Sequence, residues 1–240
     1  MKHQEMVDEA REMLVELKIE IEPSTLQQAV RHLEWVLTQN RTLNLTSITD
    51  PIDALRLHLV DSLTALPALN EAKGGALCDM GTGGGFPGLP LALASGRRTV
   101  LADSVGKKVK ALDQFLADTQ LRDQVSTTSL RIEDLGSKLG GTFAAVTARA
   151  LAPLPSLVEL STPLLTQGGR LIAMKGRLTL EELDAGDRVA DLLGLQRESI
   201  DEFTLPRHGE ARTLVTYVRV GATSIPLPRR VGLAQKRPLA

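Results

Sequence analysis

The chain has 240 residues, 42% hydrophobic and 24% charged, which suits one medium domain with an appendage and a sizeable core. Its formal net charge of -1 does not mark the whole molecule as a polyanion binder, so any nucleic-acid surface must be a local patch. Aromatics at 2% exclude a long base-stacking platform, and a single cysteine, Cys78, excludes an internal disulfide framework and a multi-cysteine metal site.

The chain opens on helical patterns. "EMVDEAREMLVEL" (5–17) puts Met6, Ala10, Met13, Leu14 and Leu17 on one face. "EPSTLQQAVRHLEWVLTQN" (22–40) repeats that spacing after the capping residues Ser24 and Thr25, and Trp35 reads as a core residue within it. "TDPIDALRLHLVDSL" (49–63) offers Asp50 as N-cap before Pro51. Residues 1–72 are therefore expected to form a helical subdomain.

The period then changes. "ALCDM" (76–80), "RRTVLAD" (97–103), "QVSTTSL" (124–130), "FAAVTA" (143–148) and "GRLIAMK" (169–175) read as strands. Helical segments at 86–95, 107–121 and 153–166 alternate with them. That alternation predicts right-handed βαβ units in an α/β, Rossmann-like, doubly wound and mostly parallel sheet over 73–222. "ARTLVTYVRV" (211–220) is expected to pair with 196–204 as an antiparallel edge. The end, 223–240, is basic and proline-rich and reads as a tail or a strap.

One stretch carries chemistry. In "DMGTGGGFPG" (79–88), after the first strand, five of ten residues are glycine. Ligands of open parallel sheets sit beyond the carboxyl ends of the strands, and glycine lets the backbone pass close beneath them. The G-x-G-x-x-G match of Gly83–Gly88 suits dinucleotides and nucleosides alike. Three details favour S-adenosylmethionine over a nicotinamide dinucleotide. Asp79 is placed to meet a cationic ammonium and to repel a pyrophosphate. Pro87 removes an N–H donor where the helix should begin. Asp103, ending the next strand, can accept both ribose hydroxyls, although a nicotinamide dinucleotide offers the same pair.

Beyond the glycine loop, "NLTSITDP", "HLVDSL", "LADSVGKKVKAL", "TARALAPL", "AMKG" and the terminal "PRR…KRPL" follow in order. From about residue 24 onward the chain resembles the GidB/RsmG-type methyltransferases of bacteria. The resemblance implies a class I methyltransferase fold and methyl transfer from S-adenosylmethionine to N7 of a guanine in small-subunit (16S) ribosomal RNA. It implies that Gly81, Gly83, Gly85 and Phe86 form the cofactor loop, beside Asp79. Asp103 would bind the ribose, with Ile132 and Glu133 at the adenine. Arg149 would stand at the amino-acid end near the target base. Arg149 and Lys175 are the candidate catalytic residues.

What is missing agrees with that chemistry. The position after the fourth strand reads "TARALAPLP", without the aromatic loop of amine methyltransferases. Cys78 sits inside a strand and reads as core, so it is not the nucleophile that pyrimidine C5 methylation needs. Guanine N7 has an in-plane lone pair and no proton, so alignment and exclusion of water suffice. No metal is expected, since His3, His32, His58 and His208 form no ligand-spaced pair.

N7 is hard to reach in an A-form helix, so the target is expected in a loop or out of its stack. Candidate RNA contacts are Asn44, Lys107, Lys108, Arg131, Lys175, Arg229, Arg230, Lys236 and Arg237, with Lys110 and Arg177 as further cations. His58 and Asp61, three apart on one helical face, read as a docking pair ahead of a catalytic one. No signal peptide or membrane span is visible, and a cytoplasmic monomer acting on ribosomal RNA or a 30S particle is expected. The alternatives are a small-molecule or non-ribosomal methyltransferase, a non-catalytic assembly factor, and a nicotinamide-dependent oxidoreductase.

Overall fold

The computed structural model describes residues 1–239. Its first third is helical. α1 (His3–Glu16) and α2 (Pro23–Leu43) pack as an antiparallel pair. α2 starts at Pro23 with Glu22 as N-cap, so Ser24 and Thr25 lie inside its first turn and are not the caps. Proline suits that first helical position because it has no N–H to leave unpaired. Asp50 does cap α3 (Pro51–Ala54), accepting the N–H groups of Ile52 and Asp53. The helix continues through a π-helical turn, Leu55–Val60, into α4 (Asp61–Leu63), followed by α5 (Leu66–Glu71).

The rest alternates. β1 (Ala76–Met80), α6 (Gly88–Ser95), β2 (Thr99–Ala102), α7 (Gly106–Asp118) and β3 (Val125–Thr128) form one winding. After α8 (Ile132–Leu139), β4 (Phe143–Arg149), α9 (Leu154–Ser161) and β5 (Leu165–Lys175) form the other. α10 (Leu180–Leu192), β6 (Leu195–Thr204), β7 (Ala211–Arg219) and the single-turn α11 (Leu233–Lys236) complete the chain. Strand order is β3-β2-β1-β4-β5-β7-β6, with β7 antiparallel to both neighbours. The expected strands and the antiparallel edge are present. α8 and α10 are elements the sequence reading does not anticipate.

The two-residue period of the strands sorts the core. Leu77, Ala145, Ile172 and Leu214 point to one face, where the N-terminal helices cover them. Cys78, Val146, Leu171 and Val215 point to the other, under α8, α9 and α10. The N-terminal helices thus share a continuous core with the sheet. Polar ties add to it from the β6–β7 turn region. Arg207 pairs with Glu9 and Glu12, and Arg56 is held by Asp53 and Glu210.

The strand order reverses at β1, between β2 and β4. That switch point is where α/β sheets open a crevice. Gly88 opens α6 there, directly over β1. A Cβ on it would lie 2.3 Å from Leu101 Cδ2 and 2.6 Å from Asp79 Cβ. Both neighbours are fully buried, so neither can move aside. Gly88→Ala is expected to destabilise the fold by about 2 kcal/mol or more, read as a lowered midpoint in urea with an unchanged slope.

Candidate functional site

The loop from Gly81 to Pro87 hangs across the carboxyl ends of β1 and β2. The N–H groups of Gly81 and Thr82 donate to Ala102 O at 2.8 and 3.0 Å, stitching its start to β2. Two carboxylates hold the rest. Asp79 Oδ2 accepts the Gly88 N–H at 2.9 Å, and its Oδ1 accepts Thr147 Oγ1 at 2.9 Å. Asp103 Oδ2 accepts the Gly83 N–H at 2.9 Å, and its Oδ1 accepts the Val105 N–H at 2.8 Å.

The sequence places Asp79 to meet a ligand ammonium; here its side chain is fully buried behind the loop and both oxygens accept donors of the protein itself. Burial pushes its carboxyl pKa up, and the donors from Thr147 and Gly88 together with the Arg149 charge oppose that shift. Asp79 instead binds the first amide of α6, so the positive end of that helix is spent inside the protein. Asp103 is different. It is half-exposed, and each oxygen keeps a lone pair beyond the amide it accepts. It can still take ribose hydroxyls.

α2 supports the loop from the N-terminal side. His32 Nε2 donates to Gly84 O at 2.8 Å from a fully buried position. Gly85 has φ +98, and a Cβ there would sit 2.8 Å from that same Nε2. Only glycine provides both the left-handed turn and the close approach. The His32 ring also packs 4.5 Å from Phe86 and 5.4 Å from Phe115. The sequence reading passes over His32. Its place on the buried stripe of α2 marks it as core, and nothing local to it indicates a partner 52 residues away.

Two cavities flank Gly81. The larger, about 570 Å³, is walled by the loop, by His58 and Asp61, and by Arg149, Lys175 and Arg212. The smaller, about 90 Å³, is bounded by Asp103, Arg131, Ile132 and Glu133, with Gly232 and Gln235 from the chain end. The structure therefore gathers Gly81, Gly83, Phe86, Arg149 and Lys175 around one space, and Asp103, Arg131, Ile132 and Glu133 around the other. Lys108 reaches the larger cavity, while Lys107 lies exposed on the first turn of α7.

A carboxylate organises the larger cavity. Asp61 Oδ2 accepts Arg149 Nη1 at 3.0 Å, and Oδ1 accepts Arg212 Nε at 2.9 Å, with the Asp61 side chain 5% exposed. Arg149 also donates to the carbonyls of Leu57 and His58 at 3.0 and 3.3 Å. The π-helical turn widens the backbone there and presents those carbonyls. Arg149 is thus docked on the helical layer, with Asp61 as its ion-pair partner. Burial pulls its pKa down, while the charges of Asp61 and Asp79 act against that. Asp61 is the docking residue that the sequence suggests. Arg212 is one it does not suggest, because "EART" looks like any strand entry.

Other candidates are already engaged. Lys175 Nζ pairs with Glu182 Oε1 at 2.8 Å and donates to Ala152 O at 3.1 Å. Arg229 is not a free phosphate contact, because Glu159 holds it at 2.6 and 2.5 Å. Glu133 accepts the Gly232 N–H through its side chain. Arg230, Lys236 and Arg237 are exposed. Asn44 is exposed as the left-handed C-cap of α2 at φ 49. Cys78 is buried core, as expected, and burial pushes its thiol well above the ordinary range. Among the described residues no cluster of three or more metal-ligating side chains occurs, and no helix is long and apolar enough to cross a membrane.

The family model described as rRNA small subunit methyltransferase G matches residues 25–212. The chain belongs to the GidB family. "Ribosomal RNA small subunit methyltransferase G" of Deinococcus radiodurans is 39% identical over 216 residues, covering 89% of this chain and 85% of the relative. The protein of that name from Desulfitobacterium hafniense is 33% identical over 240 residues, covering 99% and 98%. Among solved structures, geranyl diphosphate C-methyltransferase of Streptomyces coelicolor, held with S-adenosyl-L-homocysteine, superposes with a TM-score of 0.55. It is 15% identical and covers 73% of this chain and 83% of its own, so it speaks for the GidB member's fold alone.

Two histidines of this GidB protein are held neutral. Burial pushes the pKa of His32 from 6.5 down to about 4. Burial and the nearby Arg149 charge do the same to His58, which meets Thr46 Oγ1 at 2.7 Å and stacks on Phe86. A lowered folded pKa means the unfolded chain binds more protons between about 4 and 6.5, so stability rises with pH across that window. Full stability from these residues is expected above pH 6.5, with loss as pH falls toward 4. His32→Gln keeps a donor for Gly84 O without the titration. Its melting temperature is expected to fall less steeply than the wild type's between pH 6.5 and 4.5. Parallel slopes would refute that role for His32.

Proposed function

We propose that this protein transfers a methyl group from S-adenosylmethionine to N7 of a guanine in small-subunit ribosomal RNA. The single observation that carries the chemistry is the paired cavity around Gly81 in a chain of the GidB family. Asp103, Ile132 and Glu133 offer polar and apolar walls for a nucleoside. On the far side of the glycine loop, Phe86, Arg149 and Lys175 surround a space of about 570 Å³, within the range that holds a small ligand. A Cβ on Gly83 would point into open space, so nothing obstructs the loop's outer side. The residues fit the cofactor.

When bound, S-adenosylmethionine supplies an electrophilic methyl group on a sulfonium, which guanine N7 takes with its lone pair and without losing a proton. The protein then needs no general base. His58 borders the larger cavity, and with a pKa of about 4 it stays neutral at neutral pH and is too weak a base to matter. Glu182 pairs with Lys175, while Asp61 is shared between Arg149 and Arg212. The walls are therefore rich in donors and keep an excess of positive charge, which suits a polyanionic substrate. Arg149 is left to orient the base and the amino-acid end, and Phe86 to exclude water.

Further cations suit the rim. Half-buried Lys108 borders the larger cavity and exposed Arg131 the smaller one, with exposed Lys107 beside Lys108 on α7 and exposed Arg230, Lys236 and Arg237 toward the chain end. They suit the phosphates of a loop presented to the cavity. Asn44 joins this surface from the helical layer.

The test is methyl transfer from labelled S-adenosylmethionine to small ribosomal subunits that lack the N7 methyl group. Label is expected in one guanine that N7-specific chemistry can cleave. Arg149→Ala is expected to lower kcat by about 100-fold or more, with cofactor affinity changed much less. Cofactor binding without label on subunits or extracted RNA would defeat the assignment.

A further inference from the structure

The narrow side of the cleft has a wall built by the terminal "PRR…KRPL" segment. From Ser224 the chain leaves the sheet, crosses α9 and returns beside Asp103. Arg229 anchors it. Its Nε and Nη2 grip both oxygens of Glu159, a side chain only 3% exposed, and Nη2 also donates to Arg237 O at 2.9 Å. One guanidinium therefore ties both ends of the strap to α9. Two more bonds fix its middle. Ser156 Oγ donates to Ala234 O at 2.8 Å, and Glu133 Oε1 accepts the Gly232 N–H at 2.7 Å. Ala234 is buried, and Leu227 and Leu239 pack on the second core.

This arrangement brings Gly232 and Gln235 onto the smaller cavity, opposite Asp103 and beside Ile132. Gln235 is the one side chain the strap adds that carries both hydrogen-bond donors and an acceptor. Gly81 borders this space of about 90 Å³ and the larger cavity alike, so the strap walls the narrow end of the cleft.

We propose that residues 224–239 form the movable outer wall of the adenosine site, latched by Arg229 on Glu159, and that Gln235 contacts the bound nucleoside. This rests on the cofactor reading above. The latch suits a two-position element. A bidentate pair with a buried partner is favourable only when both charges are in place, so intermediate positions are disfavoured. Glu133 links the latch to the ligand, because it borders the cavity while holding Gly232. Arg230 and Lys236 remain exposed on the outer side, where the strap's motion can be followed.

The experiment combines calorimetry with limited trypsin digestion of the full chain. Saturating S-adenosylhomocysteine is expected to slow cleavage after Arg230 and Lys236 by about fivefold or more. Arg229→Gln is expected to speed that cleavage without ligand and to weaken S-adenosylmethionine binding about tenfold. Gln235→Ala, an exposed change that leaves the latch intact, is expected to weaken binding about threefold with unchanged cleavage of the free protein. It decides the matter if Arg229→Gln does not fold. Wild-type binding with no protection of the strap, or with Gln235→Ala at wild-type affinity, would overturn the proposal. Absence of wild-type binding would instead overturn the cofactor reading beneath it.

Discussion

Asp61 is the joint on which the arrangement depends. It belongs to the helical layer, yet its two oxygens hold Arg149 at the end of β4 and Arg212 at the start of β7. The three groups come from sequence positions as far apart as 151 residues. A triad of this kind adds little net stability over well-packed apolar residues, but removing one member from a buried set costs about 3–5 kcal/mol. Its value here lies in position. It fixes the N-terminal helices against the C-terminal ends of the strands, where a cleft must be walled on both sides. The π-helical turn before it serves the same joint by giving Arg149 two carbonyls.

A second carboxylate, Asp79, does for the loop what Asp61 does for the layers. It connects the end of β1 to the start of α6 through Gly88, and to β4 through Thr147. Glycine at 85 and 88 is then a packing requirement. His32 presses on one and Asp79 on the other. The loop is therefore rigid from beneath, while its upper side at Gly83 faces open space. Its shape is set before any ligand arrives, which is the condition under which alignment alone can accelerate a reaction.

Much of the fold is legible in the sequence because it depends on local periodicity. β1 reads as a short apolar run, β2 to β5 as strands alternating with helical segments, and β7 as a long alternating strand. α8 and α10 are missed because "IEDLGSKL" and "LEELDAGDRVADL" carry glycine and a dense set of charges. The residues that border the two cavities are legible where a motif is contiguous, as in the glycine loop and Asp103. It is not legible where function comes from meeting across the chain. Asp79 reads as a ligand contact, and neither its burial nor its two protein donors can be read from the sequence. Arg229 looks like a free cation, and only its distance to Glu159 reveals a structural pair. Arg212 and His32 have no local signature, since each acquires its role from a partner more than 50 residues away.

The two ends of the chain complete opposite halves of the cleft. The N-terminal helices supply His58 and Asp61 to the larger cavity, and the C-terminal strap supplies Gly232 and Gln235 to the smaller one. The central sheet contributes the loop between them. The shared core makes the N-terminal wall rigid, because its apolar faces merge with β1, β4 and β5. The C-terminal wall rests on one ion pair, a few hydrogen bonds and a small apolar patch. That difference in attachment means that the wall built by the N-terminal helices is held by continuous core packing, while the strap is the wall that opens at the lower cost.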